Sequence, residues 1–200
     1  MRRKTVAVIG DASAQKGDAK YELAFRTGKL LVDAGYRVES GGLGGVMKAV
    51  CEGARSSESY REGDTIGIVP SFDCEKANEY VDIVIPTGMD VLRNGMTGNA
   101  DAVIAIGGGA GTLTELAYSW TLYRLMIAFR NVPGWSSKLA DTRIDARVRY
   151  PDIPDDRVYG VDSPEEAVRL VKQLADKYTR VFEGLSHIDP KNGSMPNIRG

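Results

Sequence analysis

The stretch Asp101–Tyr123 reads DAVIAIGGGAGTLTELAYSWTLY. Val103, Ile104, Ala105 and Ile106 form an apolar run without polar alternation, the pattern of a parallel strand covered on both faces. Gly107, Gly108, Gly109 and Gly111 follow at once, where glycine permits positive φ and lets a ligand come close to the backbone. Leu113, Leu116, Ala117 and Trp120 then recur at i, i+3, i+4 and i+7, one face of a helix. A strand, a glycine turn and a helix N-terminus present unpaired N–H groups and partial positive charge, which suits a phosphate. The stretch therefore predicts a turn that holds a phosphorylated small molecule.

Working outward, the same alternation recurs. Thr5–Ile9 is a strand ending in Gly10-Asp11, and Tyr21–Ala34 is a helix stopped by Gly35. Strand Tyr36–Ser40 runs into the second glycine turn, Gly41-Gly42-Leu43-Gly44-Gly45, and a helix from Val46 to Ala54. Strands follow at Thr65–Val69 and Val81–Ile85. A helix is predicted over Asp90–Asn99, with Val91, Leu92 and Met96 as its apolar side. Beyond the opening stretch come strand Leu125–Phe129, a long polar segment over 131–156 with one helical turn, and strand Val158–Val161. Ser163-Pro164-Glu165-Glu166 then opens a helix with an N-cap, proline at N1 and a glutamate at N3. The order predicts an α/β fold in one domain, a mostly parallel sheet with helices on both faces. Residues 1–183 form that domain, and 184–200 read as a loose polar tail. Ligands of such sheets bind beyond the carboxyl ends of the strands, where the turns after Ile9, Ser40 and Ile106 converge.

Composition narrows the function classes. Two hundred residues with 42% hydrophobic and 26% charged side chains are ordinary for a globular domain. A net charge of −1 gives no footprint for nucleic acid or an anionic membrane. No apolar run approaches a membrane span. The apolar part of MRRKTVAVIG is too short for a signal peptide, so a cytoplasmic location is expected. Cys51 and Cys74 lack metal-ligand spacing and read as reduced core residues. The single histidine, His187, lies in the tail, which argues against a Ser-His-Asp triad, a Cys-His dyad and a histidine-rich zinc site. No metal and no resident cofactor are expected.

Several residues admit two readings. Thr112-Leu113-Thr114-Glu115 fits a capping box, with Glu115 reaching back to the N-cap. Alternatively Glu115 faces the ligand, activates a hydroxyl or stabilises a cationic transition state. Arg93 is either a solvated arginine or a cation clamping a phosphate. Trp120 and Tyr123 read as core and interface aromatics rather than ligand-stacking groups, and Trp135 is open between these readings. Neither glycine turn is followed by Lys-Ser or Lys-Thr, so neither is a nucleotide P-loop. Gly107–Gly111 also lacks dinucleotide-fingerprint spacing and follows a late strand.

With these residues laid out, the chain resembles the LOG family, the cytokinin-activating phosphoribohydrolases also labelled possible lysine decarboxylases. It is most similar to a branch of small prokaryotic proteins and molybdenum cofactor carrier proteins. The family signature PGGxGTxxE appears as Gly107–Glu115, the GGGxxGLM turn as Gly41–Met47, and the Arg-Lys pair as Arg93-Asn94. The resemblance implies a Rossmann-like three-layer α/β/α fold, usually at least dimeric. It implies cleavage of a nucleoside 5′-monophosphate to free base and ribose 5-phosphate, or non-catalytic carriage of a nucleotide or molybdopterin-type cofactor. By position it makes Arg93 and Glu115 the catalytic pair. Gly108, Gly109, Gly111 and Thr112 then bind phosphate beside Gly10, Gly41, Gly42, Gly44 and Gly45. Three positions depart from the pattern: Gly107 replaces proline, Asn94 replaces lysine, and Gly10-Asp11 replaces Gly-Ser, where an aspartate would repel a phosphate. Lysine decarboxylation needs pyridoxal phosphate on a Schiff-base lysine and is not expected here, because Lys48 alone among the lysines stands beside a glycine turn.

Overall fold

The computed structural model describes residues 2–184. His187 and nearly all of the polar tail lie outside them. Seven strands form one sheet, every neighbouring pair parallel. They are β1 (Thr5–Gly10), β2 (Arg37–Ser40), β3 (Thr65–Val69), β4 (Ile83–Pro86), β5 (Ala102–Ile106), β6 (Leu125–Phe129) and β7 (Val158–Val161). The helices are α1 (Ala19–Asp33), α2 (Val46–Arg55), α3 (Asn94–Thr97), α4 (Ala110–Thr121), α5 (Trp135–Leu139) and α6 (Pro164–Leu174). The strand order is β4-β3-β2-β1-β5-β6-β7, so the direction of winding reverses between β1 and β5. Their register pairs Gly10 with Ile106, and both strands therefore deliver their loops to the same crevice.

Side-chain alternation along the buried strands builds a core on each face. Val6, Val8, Ile104 and Ile106 pack with residues of α1, α2 and α6. Ala7, Ile9, Val103 and Ala105 pack with Leu116 and Trp120 of α4. Helices α1 and α2 touch backbone to backbone through two glycines. A Cβ on Gly28 would lie 2.0 Å from the Val50 carbonyl oxygen, and one on Gly53 1.8 Å from that of Phe25. Helix α6 begins as its sequence predicts: Ser163 Oγ accepts from the Glu166 N–H, Pro164 is the first helical residue, and Glu166 accepts from the Asp162 N–H.

Three expectations change. The helix predicted over Asp90–Asn99 is a 3-10 turn, Asp90–Arg93, followed by the single-turn α3. Val91, Leu92 and Met96 are exposed rather than packed, because neither four-residue element is long enough to lay a continuous apolar face on the sheet. Cys51 is buried, and burial pushes its thiol up to about 12, but Cys74 is exposed. The polar segment after β6 is ordered around a buried arginine, Arg149, with no solvent exposure. Sequence gave no sign of that core cation.

Candidate functional site

The site is built where β5 ends. Gly107 (φ 66) and Gly108 (φ 89) adopt the left-handed conformation that glycine favours. Gly109 caps α4, with no side-chain hydrogen bond to the helix. Such an end leaves the N–H groups of Gly109, Ala110, Gly111 and Thr112 without helical acceptors. The capping box predicted for Thr112 and Glu115 does not form, because α4 starts at Ala110, ahead of Thr112. Thr112 is instead buried beneath the turn, its Oγ1 2.1 Å from where a Cβ on Gly108 would stand. The start of α5 braces the turn from behind. The Ser136 and Trp135 N–H groups donate to the Gly107 and Gly108 carbonyls, and the Gly107 N–H donates to Ser136 Oγ at 2.8 Å. The sequence did not single out Ser136. Trp135 contributes its backbone here, while its ring carries Lys138 Nζ 4.6 Å from the centroid. The space beside Gly109 is open, with nothing within 4 Å of a Cβ position.

The second glycine turn serves packing more than exposure. Gly42 (φ 72) and Gly45 (φ 63) require glycine, and a Cβ on Gly45 would strike the Asp11 carbonyl oxygen at 2.1 Å. Gly10 lies against the Ile106 carbonyl oxygen, where a Cβ would come within 2.2 Å. Gly44 sits at 3.4 Å from the Ala12 carbonyl oxygen by the same measure. Gly41 makes room for Arg93, since a Cβ there would lie 2.5 Å from Nη2.

Arg93 is not solvated. It is 8% exposed, and Glu115 is 7% exposed. Arg93 Nη1 lies 3.3 Å from Glu115 Oε1 and 3.2 Å from Thr97 Oγ1. Arg93 Nε is buried without an acceptor. Burial pushes the Glu115 carboxyl up to about 7, against the pull of Arg93. Fold thus brings together Arg93, Glu115 and Gly41, from three separate stretches of chain.

Glu39, which sequence passed over, shares this side. Its register partner on β1 is Ala7, a residue of the core beneath α4. Its Oε1 is buried without a partner. Burial first, then the charges of Asp101 and Glu115, pushes its carboxyl from 4.5 up to about 8. A folded-state value above the unfolded one stabilises the fold fully below the unfolded value, and the gain disappears as pH rises through the folded value. Urea unfolding between about pH 5 and about pH 8 is therefore expected to show falling stability. Glu39→Gln should make that fall smaller by about 1–3 kcal/mol. Equal falls in both proteins would show that Glu39 is ionised when folded.

A cleft of about 300 Å³ opens beyond β1, its lining including Asp11, Ser13, Asp18, Lys20, Val132 and Pro133. Asp11 Oδ2 accepts from Lys20 Nζ at 2.6 Å, and Oδ1 accepts from the Ser13 N–H and Oγ–H at 3.0 and 2.7 Å. These bonds, Lys20 first, hold the Asp11 carboxyl down at about 2. Lys20 corrects the sequence reading, in which Lys48 was the lysine beside a glycine turn. A Cβ on Gly107 would lie 2.8 Å from Lys20 Cε. Lys48 instead pairs with Glu79. Among the described residues no group of three or more His, Cys, Asp or Glu side chains is placed to hold a metal ion. Among them, too, no helix is long and apolar enough to cross a membrane.

A parallel sheet wound in opposite directions from β1 and β5, with a glycine turn and an open helix N-terminus at the reversal, defines a three-layer α/β protein of Rossmann-like architecture. The chain belongs to the SLOG cluster4 family, whose sequence model matches residues 3–168. An uncharacterised protein of Archaeoglobus fulgidus is 36% identical over 118 residues, 58% of this chain and 74% of that protein. The structure of the molybdenum cofactor binding protein of Rippkaea orientalis is similar at 30% identity, with a TM-score of 0.70 over 86% of this chain and 98% of that one. The molybdenum cofactor carrier protein of Chlamydomonas reinhardtii shares the fold at 22% identity, with a TM-score of 0.69 over 87% of this chain and 99% of that one.

Proposed function

We propose that this chain binds a phosphorylated small molecule of nucleotide or molybdopterin type, with its phosphate on the turn that opens α4. The observation that carries the reading is the open row of N–H groups from Gly109 to Thr112 at the β1–β5 crevice. The Rippkaea orientalis protein is a molybdenum cofactor binding protein, which supports the carrier form of the reading. Titration calorimetry with AMP and with molybdopterin-type cofactor tests it. Saturable binding to one of them is expected, and binding to neither rejects it.

A second reading, hydrolysis, rests on the Arg93–Glu115 pair. Cleavage of an N-glycosidic bond builds positive charge on the ribose, which a carboxylate stabilises while it orients water. A carboxyl near 7 is poised for proton transfer at neutral pH. Under this reading AMP and water give adenine and ribose 5-phosphate, detected by chromatography. Glu115→Gln should then lower the rate at least ~100-fold and leave AMP affinity nearly unchanged. A wild-type protein that binds AMP and releases no base ends this reading and leaves the carrier reading in place.

The functional unit we propose is a homo-oligomer. Helix α4 covers β1, β5 and β6 but not β3 or β4. On that side Ile83, Ile85, Val91, Leu92, Met96 and Tyr118 are exposed, an apolar surface of the kind that protein partners cover. Light scattering should report a dimer or larger assembly, and Leu92→Glu should shift it toward monomer. A monomeric wild-type protein at about 100 μM, well above the Kd of a stable interface, would reject the assembly.

A further inference from the structure

We propose that Lys20 is an anion-binding residue of this site, and that Asp11 holds its ammonium group until a phosphomonoester dianion takes it over. The proposal deepens the binding reading above and rests on it.

Position is the first argument. Lys20 is the second residue of α1, yet its stem lies across Gly107 at the end of β5. A Cβ on Gly107 would stand 2.8 Å from Lys20 Cε and 3.1 Å from Nζ. Gly107 also has φ 66, which a proline ring, fixed near −65°, cannot adopt. Glycine in place of the signature proline therefore shapes the turn and gives the lysine its room. The ammonium group lands beside the turn whose N–H groups are open.

Valence is the second. An ammonium group has three donors. Among the described residues one is used, on Asp11 Oδ2 at 2.6 Å. The aspartate does not depend on that bond alone, because its other oxygen accepts from both the N–H and the Oγ–H of Ser13. Lys20 can leave Asp11 without stranding a buried charge: the two side chains keep 20% and 27% of their surface in solvent.

Charge is the third. The cleft carries Asp11, Asp18 and Lys20. Without the lysine it would present two carboxylates and reject an anion. With it, the ammonium group offsets one of those charges, which lessens the repulsion expected of an aspartate where a Gly-Ser pair is usual. A dianion attracts the ammonium group more than a single carboxylate does. A phosphomonoester becomes a dianion above its second pKa of about 6, so affinity should rise through that pH. A phosphodiester or an uncharged nucleoside lacks this advantage.

Calorimetry with AMP, inorganic phosphate and adenosine, on wild type, Lys20→Met, Lys20→Arg and Asp11→Asn, tests the assignment. Lys20→Met should weaken AMP and phosphate at least tenfold, leave adenosine unchanged, and remove the rise in AMP affinity near pH 6. Lys20→Arg should recover most of the loss. Asp11→Asn, which frees the lysine, should tighten AMP several-fold. Equal AMP affinity in wild type and Lys20→Met would overturn the role of Lys20 and leave the binding reading standing. Failure of the wild type to bind any phosphorylated probe would overturn the binding reading, and this proposal with it.

Discussion

Gly108→Ala is expected to weaken binding of the phosphorylated ligand about 10- to 100-fold, since hydrogen bonds to a charged group are worth about 1.5–3 kcal/mol and depend on where the turn holds its N–H groups. Two effects act together. An alanine at φ 89 is strained by about 1–2 kcal/mol. Its Cβ would also stand 2.1 Å from Thr112 Oγ1 and 2.5 Å from Thr112 Cβ. Thr112 is buried and lies in the first turn of α4, so it cannot swing clear, and the turn itself must move. The loss of stability should be about 2–4 kcal/mol in all. Gly109→Ala is the matching control. Its φ is −102 and its Cβ would meet nothing within 4 Å. It should melt near the wild-type temperature, and any loss of affinity would mark that open space as the approach of the ligand. Wild-type binding by Gly108→Ala would refute the placement of phosphate on this turn.

The other large effect lies away from the site. Arg149→Met should destabilise the fold by about 3–5 kcal/mol, the usual effect of removing one partner of a buried ion pair. Arg149 Nε and Nη2 bond Asp156 Oδ2 and Oδ1 at 2.9 and 2.5 Å. Its Nη1 bonds the Arg124 carbonyl at 3.0 Å, and the guanidinium lies 3.8 Å from the Trp120 ring centroid. Asp156 is 4% exposed and also accepts from Tyr178 Oη at 2.8 Å. Without the arginine, Asp156 is a buried charge missing its cation. For a chain of this size the melting temperature should fall by about 10 °C. Adding Asp156→Asn removes the stranded charge and should recover part of the loss. Urea unfolding of both variants decides it, and a fall below about 1 kcal/mol would show that the pair is dispensable.

The two experiments separate two roles of the same architecture. The Gly108 variant tests a turn whose function was suggested by local sequence. The Arg149 variant tests a network that ties the end of α4, the start of β6 and the segment ahead of β7 into one body. Their substitutions share no partner, so their effects on stability should add.

Local chemistry made much of this legible. Apolar runs without alternation, such as Val103–Ile106 and Leu125–Phe129, marked strands that are buried on both faces. Ser163, Pro164 and Glu166 fixed the start of α6, because capping uses neighbours in sequence. Thr112 and Glu115 show the limit of the same logic. Their spacing fits a capping box, but the box needs Thr112 at the N-cap, and α4 begins ahead of it. Glu115 was free to pair with Arg93 only because α3 packs against α4.

What the sequence by itself determined is the order and type of the elements and the presence of two glycine turns, since those depend on periodicity and on φ preferences within a few residues. Tertiary structure alone decided what each of these cations lies against. Lys20 and Gly107, Arg93 and Gly41, and Arg149 and Trp120 lie far apart along the chain and adjacent in space. Burial then set their chemistry, because a carboxyl such as Glu39 or Glu115 titrates where its surroundings put it. Those surroundings come from the sheet order and not from the sequence around each residue.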